Sequence, residues 1–284
     1  TACSFGTLTP KIDGICWYII AVAELVKKGI LNFVEWETSI EKSIACLDTL
    51  EYNKKGLIYA PVGSDWADEY ILSGYVLHIQ VLRLWALKAV NDVKSKTYYV
   101  DKFNLIRNRL ESEYLVYPSK ELSQAYFNAS ISPTEQFEIF DFASSVIYSF
   151  VFKDDLLSSK FLNYLYGTFI SKEILPPVFS PTINESDENW HLLRRFELFG
   201  FKNIPGHYHN GGIWWVWLGW YANALRSHNR NSELVDLQNI VAKKVELIKN
   251  FEFREYLSLE NREGGQGQMV FSAAGISMIF KHVN

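Results

Sequence analysis

The feature that most constrains this chain is a succession of two kinds of helical pattern. Residues 15–26, 75–90 and 213–225 are apolar nearly all round. Elsewhere the apolar residues form one stripe. Phe33, Trp36, Ile40, Ile44 and Leu47 recur at helical spacing, with Glu35, Glu37, Glu41 and Lys42 between them. Leu234, Leu237, Val241, Val245 and Ile248 repeat the pattern around Lys243, Lys244 and Glu246. A helix apolar on all sides must be covered on all sides, whereas a helix with one stripe can face water. The two kinds tend to alternate. Antiparallel helix pairs set in a ring give this order, with buried inner and amphipathic outer helices. An up-and-down bundle would make every helix amphipathic, and an α-solenoid would show a fixed repeat, which is not found here. The expected fold is therefore all-α, a toroid of inner and outer helices. No Gly/Ser-rich or Pro-rich linker divides the chain, so a single domain over 1–284 is expected.

Composition narrows the partners. Of 284 residues, 48% are hydrophobic and 15% aromatic, enough for a sizeable core and against disorder. The net charge is only -4 and no long basic run appears, so neither nucleic acid nor an anionic membrane is expected as a partner. Residues 211–225 are very apolar but too short to span a bilayer, and they include Asn223; they read as a buried helix. No signal peptide opens the sequence. The cysteines are Cys3, Cys16 and Cys46, odd in number and without a CxxC. A disulfide framework or zinc knuckle is not expected, and a reduced, cytoplasmic compartment is. Nine tryptophans offer flat faces that suit the C–H faces of sugar rings, although core filling is the commoner use of such a residue.

Residues 51–73, 114–138, 175–209 and 251–268 show no clear helical pattern, and long loops of this kind carry function more often than core elements do. Residues 126–133 alternate enough to contain a short strand. Gly63-Ser64-Asp65-Trp66-Ala67-Asp68-Glu69-Tyr70 places three acids beside a Trp and a Tyr, just before an inner helix. An acid flanked by apolar surface is where a raised pKa is expected, since desolvation disfavours its charged form. Asp65 or Asp68 would serve equally as a cap or turn residue. Gly206-His207-Tyr208-His209-Asn210-Gly211-Gly212-Ile213-Trp214-Trp215 runs a polar, glycine-rich segment into another inner helix. Its two histidines are a poor zinc signal without a nearby cysteine, and contact with a polyhydroxylated ligand is the simpler reading. Arg254-Glu255-Tyr256 precedes a Gly-rich stretch and a helix of small residues, and a surface ion pair with Arg254 would equally explain Glu255. Asp13 stands before Trp17, where an N-cap is the plain alternative. Phosphate loops, GxSxG and HExxH are absent.

Taken in order, these segments resemble those of (α/α)6-barrel glycoside hydrolases of the amylo-α-1,6-glucosidase, processing α-glucosidase I and neutral invertase type. Tyr208-His209-Asn210-Gly211-Gly212-Ile213-Trp214 is similar to their YHNGG(S/I)WP segment. Trp66-Ala67-Asp68, with His78-Ile79-Gln80-Val81-Leu82 after it, resembles their WMD motif and EIQAL helix. Glu255-Tyr256 followed by Phe271-Ser272-Ala273-Ala274 resembles their final E-N-Y and W-S-A segments, and Thr9-Pro10 to Trp17 their T-P-x-x-D-S-T-x-W entry. The resemblance spans nearly the whole chain. It departs at His78 for Glu, Trp215 for Pro and Phe271 for Trp. The first helical pair, or an N-terminal domain, would lie outside this sequence.

The resemblance implies an inverting glycosidase acting on an α-linked glucoside or related sugar. Asp68 falls on the general acid and Glu255 on the general base. Inversion calls for carboxyl groups roughly 6.5–9.5 Å apart, which leaves room for the attacking water. Asp13, Trp17, Asp65, Trp66, Gln80, Tyr208, His209, Asn210, Gly211 and Trp214 would form the sugar subsite, with no metal or organic cofactor. A non-catalytic carbohydrate-binding toroid, a helical scaffold, and a sugar isomerase or unsaturated-uronyl hydrolase on a similar frame stay open.

Overall fold

The computed structural model describes residues 11–52, 55–118, 122–132, 137–246, 248 and 252–281. Cys3, Thr9-Pro10, Pro133 and Phe251 lie outside the described residues. The chain divides into two compact units. The first runs to Leu115 and takes back Asn128–Glu138; the second comprises Val116–Phe127 and the chain from Ile139 onward.

The first unit holds α1 (Ile12–Lys27), α2 (Phe33–Thr49), α3 (Leu77–Val93) and α4 (Thr97–Arg109). Helix α2 starts where it does because the Asn32 side chain accepts a hydrogen bond from the Val34 amide at 3.2 Å, satisfying a donor that has no helical partner. Its stripe buries Ile40, Ile44 and Leu47 against α1. Helix α3 is enclosed by α1 and α4 and buries every residue from Leu77 to Leu87, as an all-round apolar sequence requires. Helix α4 carries Tyr99 and Ile106 as its buried pair and is otherwise partly or fully exposed. Helix α1 departs from the expected pattern. Although apolar nearly all round, it packs on α2 and α3 and leaves Gly14, Ala21 and Leu25 exposed.

In the second unit are α5 (Phe142–Val151), α6 (Leu156–Thr168), α7 (Trp190–Leu193), α8 (Trp215–Ser227), α9 (Asn231–Val245) and α10 (Val270–Phe280). Helices α5 and α10 pack against α8, while the amphipathic α6 and α9 lie on α5 and α8. Helix α5 is capped by Asp141, whose carboxylate accepts from the Ser144 amide at 2.9 Å. The stretch 175–209, expected to be loop, contains α7 and a 3-10 turn over Arg194–Phe199.

Helices α3 and α8 begin two residues later than their apolar runs, because the leading pair is extended. Tyr75–Val76 pairs antiparallel with Ser130–Ile131 before α3, which places strand in the segment expected to contain one. Phe140–Asp141 pairs with Phe179–Ser180 before α5. Ile213–Trp214 pairs with Tyr256–Leu257, which pairs in turn with Glu263–Gly264, before α8. Each pairing returns a distant loop to the N-terminal end of an inner helix.

Helices α8 and α10 approach each other closely across glycines. A Cβ on Gly275 would stand 2.2 Å from the Trp215 carbonyl oxygen, and one on Gly219 would stand 2.7 Å from that of Gly275. Because the obstacle is backbone, no side chain can turn aside. Gly275→Ala should therefore force α8 and α10 apart and cost about 1–3 kcal/mol. Urea unfolding of the variant checks this, and an unchanged midpoint would contradict it.

Candidate functional site

Two clusters gather the residues singled out in the sequence, one in each unit. In the first unit the 63–68 loop is fastened to the start of α1. The Ile12 amide donates to the Ser64 carbonyl at 2.8 Å. The Lys11 ammonium donates to the carbonyls of Gly63 at 2.9 Å and Asp65 at 2.7 Å, and pairs with the Asp68 carboxylate at 3.5 Å. Asp68 is partly exposed, its side chain retaining 29% of its accessible surface. Asp65 is buried and accepts from the Ala67 amide at 3.1 Å, a local turn that shapes the loop. Trp66 is half-buried, with its ring 6.3 Å from that of His78. His78 is fully buried, and burial pushes its imidazole down to about 3, so it is neutral at ordinary pH.

Asp13 belongs to this cluster but is not an N-cap. Helix α1 starts at Ile12 after Lys11, which places Asp13 in the first turn. There it is 6% exposed and accepts backbone hydrogen bonds from Trp66 and Gly14. Burial outweighs these bonds and the nearby Lys11 charge, and pushes its carboxyl from 3.8 up to about 6. Trp17, one turn along α1, lies edge-on to Trp85 at 5.6 Å. Between pH 3.8 and about 6 the native Asp13 keeps a proton that the unfolded chain has lost. Its contribution to stability is thus full below that window and declines as pH rises through it, by about 3 kcal/mol in all. Asp13→Asn should remove this decline. Urea unfolding at pH 4 and pH 7 would then show the variant gaining on the wild type by that order, and parallel curves would contradict the assignment.

The second cluster surrounds the start of α8. Tyr208 takes a left-handed φ of 47°, uncommon for a non-glycine residue and characteristic of sites whose surroundings over-determine them. Its carbonyl accepts from the Trp214 indole at 3.2 Å. His209 is 1% exposed and stacks on Trp214, with ring centroids 5.3 Å apart. Tyr256 and Phe271 extend the stack, their centroids 5.9 and 6.2 Å from that of Trp214. Trp215 occupies the first position of α8, where proline is a favoured residue, so its place in the motif remains geometrically coherent. Beside this stack the Glu255 carboxylate, partly exposed, accepts from the Gln266 amide at 3.2 Å. It lies directly over Gly265, where a Cβ would come within 2.1 Å of a carboxylate oxygen.

Three expected sugar contacts are engaged with the protein itself. The Gln80 amide, fully buried, donates to the carbonyls of Ile58 and Val76 and accepts from the Ile58 amide. Asn210, also fully buried, donates to Ile183 and Asn203 and accepts from the Ile183 amide, tying three loop segments together. The open side of Gly211 faces Thr182, whose hydroxyl would be 2.6 Å from an added Cβ. Gln80 and Asn210 thus hold loop backbone within their own units. Sequence reasoning passed over Asp141, buried, pushed by burial up to about 6, and bonded to Ser144. Its signal was the cap-like Asp before an apolar run with Ser three residues on.

Among the described residues no three His, Cys, Asp or Glu side chains converge as metal ligands would, and no helix is long and apolar enough to cross a membrane. Cys16 and Cys46 are free thiols.

No family model matches the chain, and no curated protein matches it by sequence. Solved structures do. A D-mannose isomerase shares 13% identity over 95% of this chain and 71% of its own, with a TM-score of 0.53. A GH8 catalytic-mutant xylanase in complex with xylohexaose, from Teredinibacter turnerae, shares 11% over 95% and 71%, with a TM-score of 0.58. An endo-1,4-D-glucanase from Vibrio fischeri shares 10% over 97% and 76%, with a TM-score of 0.57. These likenesses establish the fold, which is all-α and of the (α/α)6 toroid class.

Proposed function

We propose that this chain is a carbohydrate-active enzyme, an inverting glycoside hydrolase with Asp68 as general acid and Glu255 as general base. The observation that carries the reading is Glu255: a carboxylate oriented by the Gln266 amide over a glycine, beside the Tyr208–His209–Trp214–Tyr256 aromatic cluster. Aromatic faces bind the C–H faces of sugars, and a positioned carboxylate beside them can take a proton from water. As general acid, Asp68 delivers a proton to the glycosidic oxygen as the bond from the anomeric carbon to that oxygen breaks. Water attacks the anomeric carbon from the opposite face and loses its proton to Glu255. Exchange with solvent restores both groups. Tyr208, His209 and Trp214 are the proposed sugar contacts of the Glu255 cluster, and Asp13, Trp17, Asp65 and Trp66 those of the Asp68 cluster. Gln80 and Asn210 brace the loops beside these clusters through backbone hydrogen bonds. The sugar bound is an α-linked glucoside or a close relative.

The D-mannose isomerase among the structural neighbours favours a second reading, interconversion of free monosaccharides. One assay separates the two. The chain is incubated with α-linked glucosides, α-mannosides, sucrose, xylo- and cello-oligosaccharides and free D-mannose, and products are resolved by chromatography and by NMR of the new anomeric centre. Release of a sugar with inverted configuration supports hydrolysis. A new monosaccharide from D-mannose alone would replace that reading with the second.

A further inference from the structure

Where residues 205–207 meet residues 258–260, the second unit contains a cavity of about 250 Å³. Its polar lining is Thr182, Asn184, His207, Ser258 and Glu260, with Leu259 as an apolar edge. We propose that this cavity is a second saccharide-binding site, which takes one neutral sugar ring and is separate from the Glu255 carboxylate. The proposal rests on the carbohydrate reading above only for the chemical class of its ligand.

The walls are held in place by backbone bonds. The Leu259 amide donates to the Gly206 carbonyl at 3.0 Å, the Ser258 amide to Arg262 at 2.8 Å, and the Gly206 amide to Asn210 at 2.9 Å. Asn184 is fixed by its amide bond to the Asp187 carboxylate at 2.7 Å. A site formed in advance needs little ordering when its ligand arrives. Its chemistry selects the ligand. Hydroxyl, amide, imidazole and carboxylate groups alternate donors and acceptors, as a polyol requires. Among the described residues no Lys or Arg lines the cavity, and Glu260 is paired with Arg262 at 2.9 Å, so the lining carries little net charge and suits a neutral ligand. Burial pushes His207 below its ordinary pKa, so at neutral pH its uncharged ring can both donate and accept. Pockets for drug-sized ligands span roughly 300–1,000 Å³. This smaller one suits a single ring, with Leu259 available to its C–H face.

Packing separates the two sites. Tyr256 and Glu255 pack on different residues of the facing segment: a Cβ on Gly264 would meet the Tyr256 ring, and one on Gly265 the Glu255 carboxylate. Tyr256 forms the partition: its ring stacks on Trp214, and its hydroxyl lies 3.5 Å from His207 Nδ1. A ring bound against His207 is therefore one side chain away from the aromatic stack.

The test is isothermal titration of the full chain with D-glucose, D-mannose and D-xylose, repeated on Glu255→Gln, His207→Ala and Ser258→Leu. At least one sugar should bind wild type and Glu255→Gln alike. His207→Ala should weaken that binding about tenfold, the value of one or two lost hydrogen bonds. Ser258→Leu, which fills the cavity, should abolish it while circular dichroism stays unchanged. If Ser258→Leu does not fold, His207→Ala decides. Repeating the titration with maltose and xylobiose tells a free sugar from a chain end, since tighter binding of the disaccharide assigns the latter. Absence of binding by all three monosaccharides would overturn the proposal, as would binding that His207→Ala leaves unchanged. Failure of the hydrolase reading shows instead as absence of turnover, which the titration does not measure.

Discussion

On the proposed hydrolase reading, Glu255→Gln and Asp68→Asn should each lower kcat by about 10²- to 10⁴-fold on the glycoside identified by the product assay, with KM little changed. Each substitution preserves shape and removes the charge together with the capacity to exchange a proton. The local structure makes Glu255 the more telling of the two. Its carboxylate is placed by one backbone amide and by the absence of a side chain at Gly265, which has a φ of +77° and would bring a Cβ within 2.1 Å of the carboxylate oxygen. Gly265→Ala should consequently displace the carboxylate and impair turnover although no proton-transferring group is removed. A smaller loss than that of Glu255→Gln, with sugar binding retained, would show that position as well as identity matters. Full activity in Glu255→Gln would remove Glu255 from the mechanism. Asp68 is fixed differently, by the Lys11 ammonium at 3.5 Å, and Lys11 also holds the loop carbonyls of Gly63 and Asp65. The Asp68→Asn comparison should therefore include circular dichroism, so that a loosened loop is not read as a lost proton.

Periodicity made the helices legible, because a 3.6-residue repeat persists over three or four turns. The enclosure of α3 and the single stripe of α9 follow directly from it. The two-residue strands ahead of α3, α5 and α8 escaped notice, since two residues show no period and pairing depends on partners as distant as Ser130 and Tyr256. The candidate site was legible in its motifs but not in its division of labour. Asn210 and Gln80 read as ligand contacts because they are polar beside an inner helix, and only the fold reveals the backbone groups that occupy them. Asp65 and Asp13 look alike in sequence; the fold gives Asp65 a turn-forming bond and buries Asp13 enough to keep it protonated to about 6. Helix α1 shows the reverse failure: composition demanded cover on every side, and part of its surface is exposed.

Arg83 gave no signal in the sequence, yet it should be among the costliest residues to replace. On α3, with 1% of its side chain exposed, it forms ion pairs with Asp48 and Glu51 and donates to the Gly56 carbonyl at 2.9 Å. Glu51, whose side chain is 6% exposed, also pairs with Lys102 at 2.8 Å. Burial alone would raise the Glu51 carboxyl, but the Lys102 hydrogen bond and the Arg83 charge outweigh it and hold the group below its ordinary value of 4.5. Arg83→Met leaves a buried carboxylate short of its neutralising partner and the Gly56 carbonyl without its donor, at an expected cost of about 3–5 kcal/mol. Adding Glu51→Gln should recover part of that loss, since an uncharged amide demands less of its surroundings. The order of stability by urea unfolding is then wild type, double variant, Arg83→Met. The carboxylate also sets the pH dependence. A group whose native pKa is depressed contributes its stability above its unfolded value, so the Arg83 network should weaken as pH falls below about 4.5. Wild type and Arg83→Met should thus converge in acid. Equal separation of the two at pH 3 and pH 7 would mean that Arg83 stabilises the first unit through packing of its aliphatic stem, not through its charge.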